Sequence, residues 1–182
     1  MNSDSEKSFA AALPLILQYE GGFTDNPLDH GGRTNKGIIQ RVYDMYRAGK
    51  GLPIQSVEFI GDSEVSDIYY TMYWLAGSCD KISYPINIVH FDTCVNCGTH
   101  QAAHFLQRTV GAKDDGNVGP KTLQSVSDFL NARKDIVHTY LQQRSNFYYA
   151  IVDHDPSQRV FIKGWQNRID KLNKYVDDHP SI

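Results

Sequence analysis

The residues that could do chemistry lie early in this sequence, where a glutamate precedes a polar, glycine-rich stretch. Glu20 is followed by two glycines, and the chain then supplies Asp29, Thr34 and Asn35. A carboxyl group that keeps its proton near neutral pH can act as a general acid. Polar groups opposite it could position or activate a water molecule. The pattern therefore indicates an acid and water-handling site, and the structural alternative is a helix end followed by an ordinary hairpin.

The residues before Glu20 predict the helix that positions it. Apolar residues recur there at three- and four-residue spacing, which places them on one helical face, and Glu20 continues that face. We therefore expect its carboxyl group to point toward the core, where the loss of hydration raises a carboxyl pKa. Pro14 should either bend this helix or leave only its final turns before Glu20. The apolar residues of the face are Phe9, Ala12, Leu13, Ile16 and Leu17.

Glycines after the glutamate allow the chain to leave the helix and reverse direction. Gly21 or Gly22 can take the left-handed conformation that ends many helices. Gly31 and Gly32 permit a sharp turn, and Gly37 precedes a return into regular structure. The sequence therefore predicts a small β-hairpin opposite the glutamate.

These residues belong to a wider pattern that resembles glycoside hydrolase family 108, the bacterial and phage N-acetylmuramidases. The resemblance covers nearly the whole chain. It consists of Glu20-Gly-Gly-Phe23, Asn26-Pro27, Asp29-x-Gly-Gly32, Thr34-Asn35-x-Gly37-Ile38, Ile68-Tyr69-x-x-x-Tyr73-Trp74, Phe91-Asp92-x-x-Val95-Asn96-x-Gly98, Leu106-Gln107, Asp115-Gly116-x-Val118-Gly119-Pro120-x-Thr122 and Gly164-Trp165-x-Asn167-Arg168.

The resemblance implies a mainly α, lysozyme-like helical fold with a small β-hairpin after the first helix. It also implies a catalytic muramidase segment at residues 1–97. Residues 98–182 resemble the helical peptidoglycan-binding segment of the family, and we expect the two segments to pack as one compact unit. Apolar spacing and turn residues predict helices near residues 5–20, 40–48, 63–75, 86–97, 99–110, 120–130, 132–153 and 158–177.

By the same resemblance, Glu20 is the general acid, and Asp29 and Thr34 position or activate water. The spacing from Glu20 to Asp29 is also similar to that of phage-type lysozymes, where a glutamate at a helix end faces an aspartate and a threonine from a hairpin. Thr34 lies one residue short of that spacing, and Asn35 occupies the expected place. Two further departures leave the acid in place: His30 where a proline is common and Gln40 where a threonine is common.

Aromatic and amide side chains could bind the sugar rings of a glycan. Asn35, Tyr69, Tyr73 and Trp74 are the candidates for a substrate groove, with packing as the alternative for each. We rank Asn35 and Tyr73 first. Asp92 could line the cleft or belong to a buried polar network, and we favour the network.

The cysteines and histidines predict neither a metal nor a cofactor. Cys94, Cys97 and His100, with Cys79 upstream, are ingredients of a structural zinc site, but the usual second close pair is missing. His100 and His104 have the spacing of a zinc-metalloprotease helix, yet glutamine stands where that motif needs its catalytic glutamate.

The composition and the net charge limit the classes of partner that this chain could bind. The chain has 182 residues, of which 41% are hydrophobic, and a formal net charge of −3. Without a cationic field, tight non-specific binding to nucleic acid or to anionic lipid is not indicated. The N-terminus is polar and acidic and lacks the features of a signal peptide, and we expect no membrane insertion. We expect a monomer made in the cytoplasm that acts on the cell wall, in the periplasm or outside the cell, after release or secretion.

The sequence thus predicts a peptidoglycan hydrolase that cleaves the β-1,4 bond between N-acetylmuramic acid and N-acetylglucosamine. Its partners would be the glycan strands of the bacterial wall, and its context would be a phage endolysin or a secreted bacterial effector. An effector would also have an immunity protein as a partner. Two alternatives are a non-catalytic peptidoglycan-binding module and a lytic transglycosylase.

Overall fold

A computed structural model describes residues 3–25, 32–132 and 135–181 of the chain. Within these ranges it contains eight α-helices and one two-stranded antiparallel hairpin, which confirms the mainly α, lysozyme-like fold. The elements are α1 (Ser3–Leu17), β1 (Thr34–Asn35), β2 (Ile38–Ile39), α2 (Gln40–Gly49), α3 (Asp62–Tyr69), α4 (Ile86–Cys97), α5 (Thr99–Val110), α6 (Pro120–Asn131), α7 (Ile136–His154) and α8 (Arg159–Asp178).

Helix α1 ends before the glutamate that it positions. The helix continues through Pro14 to Leu17, so of the two alternatives for Pro14 the one that leaves only the final turns is wrong. Two tighter turns then carry the chain to Glu20. Tyr19 N donates to Ile16 O at 2.9 Å, and Glu20 N donates to Leu17 O at 3.2 Å. Such three-residue bonds commonly tighten the last turn of a helix, and here they set the direction of the Glu20 side chain.

The hairpin packs directly against this turn. Its two central residues, Lys36 and Gly37, have φ angles of +49° and +76°, as a tight two-residue hairpin turn requires. Lys36 N donates to Gly21 O at 3.0 Å, which ties the tip of the hairpin to the residue after Glu20. The sequence prediction of a hairpin opposite the glutamate is therefore confirmed.

The helix predicted near residues 63–75 divides into two parts. Helix α3 ends at Tyr69, and residues 70–75 continue as a π-helical segment. Short π-helical turns inside longer helices occur frequently at functional sites. The ring centroid of Tyr73, in this segment, lies 5.5 Å from that of Tyr69, the last residue of α3.

Helix α4 is shared by two hydrophobic cores. Residues 86–94 are all buried, which explains why this helix has no polar face. Ile88, Phe91 and Cys94 belong to a core formed mainly by residues 9–91, whereas Ile86 and Val89 belong to a core formed with helices α5 to α8. The first and second parts of the chain therefore pack against opposite faces of one central helix.

The remaining helices complete the second core. Helix α7 packs against α4, α5 and α8, and α6 packs against α5. None of the helices in the described part of the chain combines the length and apolar character needed to cross a membrane.

Candidate active site

The carboxyl group of Glu20 lies where the helix-end turn meets the hairpin. It is half-buried and approaches the backbone of Gly37 very closely. A Cβ atom built on Gly37 would lie 2.7 Å from Glu20 Oε2 and 2.6 Å from the Tyr69 hydroxyl oxygen. Only glycine leaves room for both side chains, and its φ of +76° also favours glycine. The Tyr69 hydroxyl donates to Lys36 O at 2.9 Å, which holds the hairpin tip in place.

The electrostatic surroundings of Glu20 favour its protonated form. Burial raises the pKa of this carboxyl group, the charge of Arg168 lowers it, and the charge of Asp92 raises it. The net direction is upward. Arg168 Nη1 lies 3.8 Å from Glu20 Oε1, a distance at which no strong hydrogen bond holds the carboxylate. The raised pKa is the property that a general acid working near neutral pH requires.

Asp92 forms the centre of a buried charged network behind Glu20. Its side chain is 1% exposed and is contacted by two arginines from the second part of the chain. Arg144 Nη1 donates to Oδ2 at 2.6 Å. Arg168 Nε donates to Oδ1 at 2.9 Å and to Oδ2 at 3.1 Å, and its Nη2 lies 2.8 Å from Oδ1 at an angle unfavourable for a hydrogen bond. Asp92 thus belongs to a buried polar network, which was the favoured interpretation of the sequence.

The aromatic candidates occupy different depths. Tyr73 is partly exposed, and burial, followed by the charge of Glu20, raises the pKa of its hydroxyl group. Tyr69 is 1% exposed, and the same two causes raise its pKa. Trp74 is fully buried, and its indole nitrogen donates to Ser5 Oγ at 3.2 Å. The structure therefore places Trp74 in the core, where its ring cannot meet a substrate.

The structure describes two of the three site candidates on the hairpin side, Thr34 and Asn35. Asp29 lies outside the described residues. Thr34 is partly exposed, its backbone pairs with Thr24, and its hydroxyl donates to Gly32 O at 3.2 Å. Asn35 is 8% exposed, and its Nδ2 donates to two backbone carbonyls, those of residues 57 and 58, at 3.1 Å each. The donor capacity of the Asn35 amide is therefore already used within the protein.

The cysteines assemble differently from the combination considered in the sequence. Ligand atoms of Cys79, His90 and Cys94 all lie within 4.8 Å of one another, and all three residues are buried. His90 Nδ1 lies 3.0 Å from the Tyr140 hydroxyl, and Nε2 lies 3.0 Å from the carbonyl oxygen of Gly77. Because both ring nitrogens already have protein partners, the cluster is explained by core packing. Sequence reasoning missed His90, since a fully buried helix gives no signal for one face.

Sequence reasoning also missed the two arginines that contact Asp92. Arg168 was part of the family motif at the end of the chain, but nothing in its spacing connected it with Glu20, 148 positions upstream. Arg144 carried no motif at all. A buried aspartate such as Asp92 does require a cationic partner, and that requirement is the one signal in the sequence that could have pointed to these arginines.

Comparisons with known proteins agree with this geometry. Residues 13–98, which include Glu20, Gly37 and Asp92, match the family model described as Glycosyl hydrolase 108. This part of the chain belongs to that family. Residues 101–170, which include both arginines, match a second model, described as Predicted Peptidoglycan domain.

A solved structure extends the likeness to the whole chain. The structure of Brucella abortus SagA is 28% identical, with a TM-score of 0.73, and the similarity covers 93% of this chain and 94% of that one. No match is found among curated protein sequences. The two matched regions together support a glycosidase with a peptidoglycan-related role.

Proposed function

We propose that this glycosyl hydrolase is an N-acetylmuramidase, which cuts the β-1,4 bond between N-acetylmuramic acid and N-acetylglucosamine with Glu20 as its general acid. The observation that carries the proposal is the state of Glu20. Its carboxyl group is half-buried, has a raised pKa and is fixed against a glycine of the hairpin. A group in this state can protonate the oxygen of the leaving sugar as the glycosidic bond breaks.

The second group of the mechanism would come from the hairpin side. Glycosidases pass through an oxocarbenium-like transition state and need a nucleophile at the anomeric carbon. In our proposal, the nucleophile is a water molecule that Asp29 and Thr34 position or activate. A separation of about 6.5–9.5 Å between the carboxyl groups of Glu20 and Asp29 would give inversion, and about 5–5.5 Å would give retention.

The sugar rings would run past the exposed edge of the aromatic cluster. Tyr73 is our first candidate for a sugar contact, because its ring is partly exposed and its hydroxyl lies in the field of Glu20. The side chains of Asn35 and Tyr69 donate to backbone carbonyl groups of the protein itself. They would therefore support the groove from its protein side. In this proposal the predicted contact of Asn35 with substrate is made through its remaining amide oxygen.

The test is mass spectrometry of the soluble products from purified peptidoglycan. The wild-type protein should release fragments that end in reducing N-acetylmuramic acid. Glu20→Gln should be folded and should lose about 100- to 10,000-fold in rate, which is the usual contribution of general acid catalysis. Glu6→Gln is the matched control, because Glu6 is an exposed glutamate in the first turn of α1, the helix that leads to Glu20. It should be as active as wild type.

Other products would change the assignment. Anhydro-muramyl ends would identify a lytic transglycosylase, and reducing N-acetylglucosamine ends would identify a glucosaminidase. Binding to the wall without any product would identify a binding module. An active Glu20→Gln variant would remove Glu20 from the acid role. As a muramidase, the protein would serve wall degradation by a phage endolysin or a secreted bacterial effector.

A further inference from the structure

Arg168 belongs to the region that matches the Predicted Peptidoglycan domain, yet its guanidinium group lies beside Glu20. We propose that Arg168 is a positioning residue for the general acid, so that the second domain of this chain completes the active site of the first. This inference rests on the proposed acid role of Glu20 and deepens it. It gives the C-terminal region a part in catalysis in addition to any wall binding.

The guanidinium group is held on three sides. Toward α4, it contacts Asp92 through Nε and Nη2 at 2.8–3.1 Å. Toward the helix-end turn, its Cζ atom lies 4.4 Å from the ring centroid of Tyr19, the residue before the acid. Toward the site, Nη1 lies 3.8 Å from Glu20 Oε1. With only 9% of its side chain exposed, Arg168 is a fixed part of the wall behind Glu20.

The second step concerns charge. An unshared guanidinium beside a carboxyl group would favour the ionised form, which cannot donate a proton. Here the negative charge of Asp92 takes the closer contacts of Arg168, at 2.8–3.1 Å, and offsets part of its positive charge. Glu20 therefore experiences a weakened positive field together with burial. Arg168 can restrain the position of the acid without forcing its ionisation.

Four charged or titratable side chains of the described residues act on Glu20 or face it. Arg168 comes from α8, Asp92 from α4, Tyr69 from α3 and Tyr73 from the π-helical segment. Because the two tyrosines have raised pKa values, they are neutral in the working range of a glutamic acid. Within the described residues, burial therefore raises the pKa of Glu20, and one arginine and one aspartate supply the charges that act on it.

The test measures the titration of Glu20 directly, which requires no activity. Carbon-13 NMR of side-chain carboxyl groups in the full chain follows the Glu20 signal, which is assigned by its absence in Glu20→Gln. Arg168→Gln should move the titration midpoint of Glu20 to higher pH, because it removes the charge that lowers this pKa. Arg168→Lys keeps the charge, and its shift should be smaller.

Lys171→Gln is the matched control. Lys171 lies one turn further along α8, with Nζ 5.1 Å from the Tyr19 ring centroid. Its substitution removes the same unit of charge from the same helix. Neither the midpoint nor the activity should change in this variant. An unchanged Glu20 midpoint in folded Arg168→Gln, or an equal shift in Lys171→Gln, would overturn the inference.

Activity supplies the second readout. The rate of peptidoglycan hydrolysis by Arg168→Gln should fall up to about 100-fold, because the acid loses its restraint. In a profile of hydrolysis rate against pH, the high-pH limb of Arg168→Gln should move to higher pH together with the Glu20 midpoint. Arg168→Lys should recover part of the rate. A lower rate with an unmoved limb would mean a purely structural role. A wild-type protein that yields no products would defeat the proposed function, while the NMR midpoint would still decide the role of Arg168.

A folding defect in Arg168→Gln would leave the test intact. In that case Arg168→Lys decides the question, because it keeps a positive charge beside Asp92. A single ammonium group cannot contact Asp92 and Glu20 together as the planar guanidinium does, so the Glu20 midpoint should still rise and the hydrolysis rate should still fall. An Arg168→Lys variant with the wild-type midpoint and rate would contradict the inference.

Discussion

Two carboxyl groups of this protein share one arginine but differ in nearly every other respect. Asp92 is fully enclosed, and two guanidinium groups hydrogen-bond to it at 2.6–3.1 Å. Glu20 keeps 23% of its side chain exposed, and within the described part of the chain its one ion-pair partner is Arg168, at 3.8 Å. The two groups lie on opposite sides of the same guanidinium.

The difference separates structure from chemistry. A carboxylate that is fully paired inside a protein stays ionised and holds its surroundings together, whereas a partly buried and weakly paired one can exchange a proton. We therefore assign the structural role to Asp92 and the chemical role to Glu20, and substitutions at or near each can test that division.

The largest effect on folding should come from Asp92→Asn. Removing one partner of a buried ion pair leaves uncompensated charge, and the free energy of unfolding should fall by about 3–5 kcal/mol. Denaturant unfolding followed by circular dichroism measures this loss. Asp177→Asn, an exposed change on α8, should stay within about 0.5 kcal/mol of wild type. A loss at Asp92 no larger than that at Asp177 would contradict the structural role.

An intermediate effect should come from Gly37→Ala. The new methyl group would collide with the Glu20 and Tyr69 side chains and displace the acid, and a displacement of about 1 Å can cost about 100-fold in rate. Gly51→Ala is the control, because Gly51 has a similar φ of +68° but nothing within 4 Å of its added Cβ. Both variants should lose stability through backbone strain.

Peptidoglycan hydrolysis by the two variants then separates collision from strain. Only Gly37→Ala should lose the large factor in rate. Similar rates in the two variants would show that contact with Gly37 does not position Glu20.

The smallest effect should be a pH-dependent difference in stability between Glu20→Gln and wild type. Because the folded-state pKa of Glu20 is raised, its contribution to stability is fully present below the unfolded value of about 4.3 and is lost as pH rises through the folded value. Glutamine does not titrate. Thermal unfolding at about pH 4 and about pH 7 should therefore show Glu20→Gln gaining stability relative to wild type at the higher pH.

The opposite sign would be equally informative. A wild-type protein that gains stability over Glu20→Gln with rising pH would mean that Arg168 binds the ionised carboxylate. The division between Glu20 and Asp92 would then fail, because both groups would be held as structural anions.

The helices and the hairpin could be predicted from the sequence because they depend on local patterns. Apolar spacing gave the position of α5, Thr99–Val110, to the residue, and glycine at position 37 marked the tight turn. The end of α1 was placed three residues too late, because the tighter turns before Glu20 continue the same apolar spacing. Trp74 was a candidate for the groove with packing as its alternative, because the sequence alone does not distinguish a buried aromatic ring from an exposed one.

What the sequence by itself determined was the fold class and Glu20 as the candidate acid, since both are written in short-range spacing and in a family pattern around one glutamate. The tertiary structure alone decided which charges surround that glutamate. Arg168 lies 148 positions from Glu20 and 76 from Asp92, and only the tertiary position of α8, which packs against α7, brings the three together. Electrostatic energy depends on distance in space and on burial, and neither is encoded in the spacing of residues along the chain.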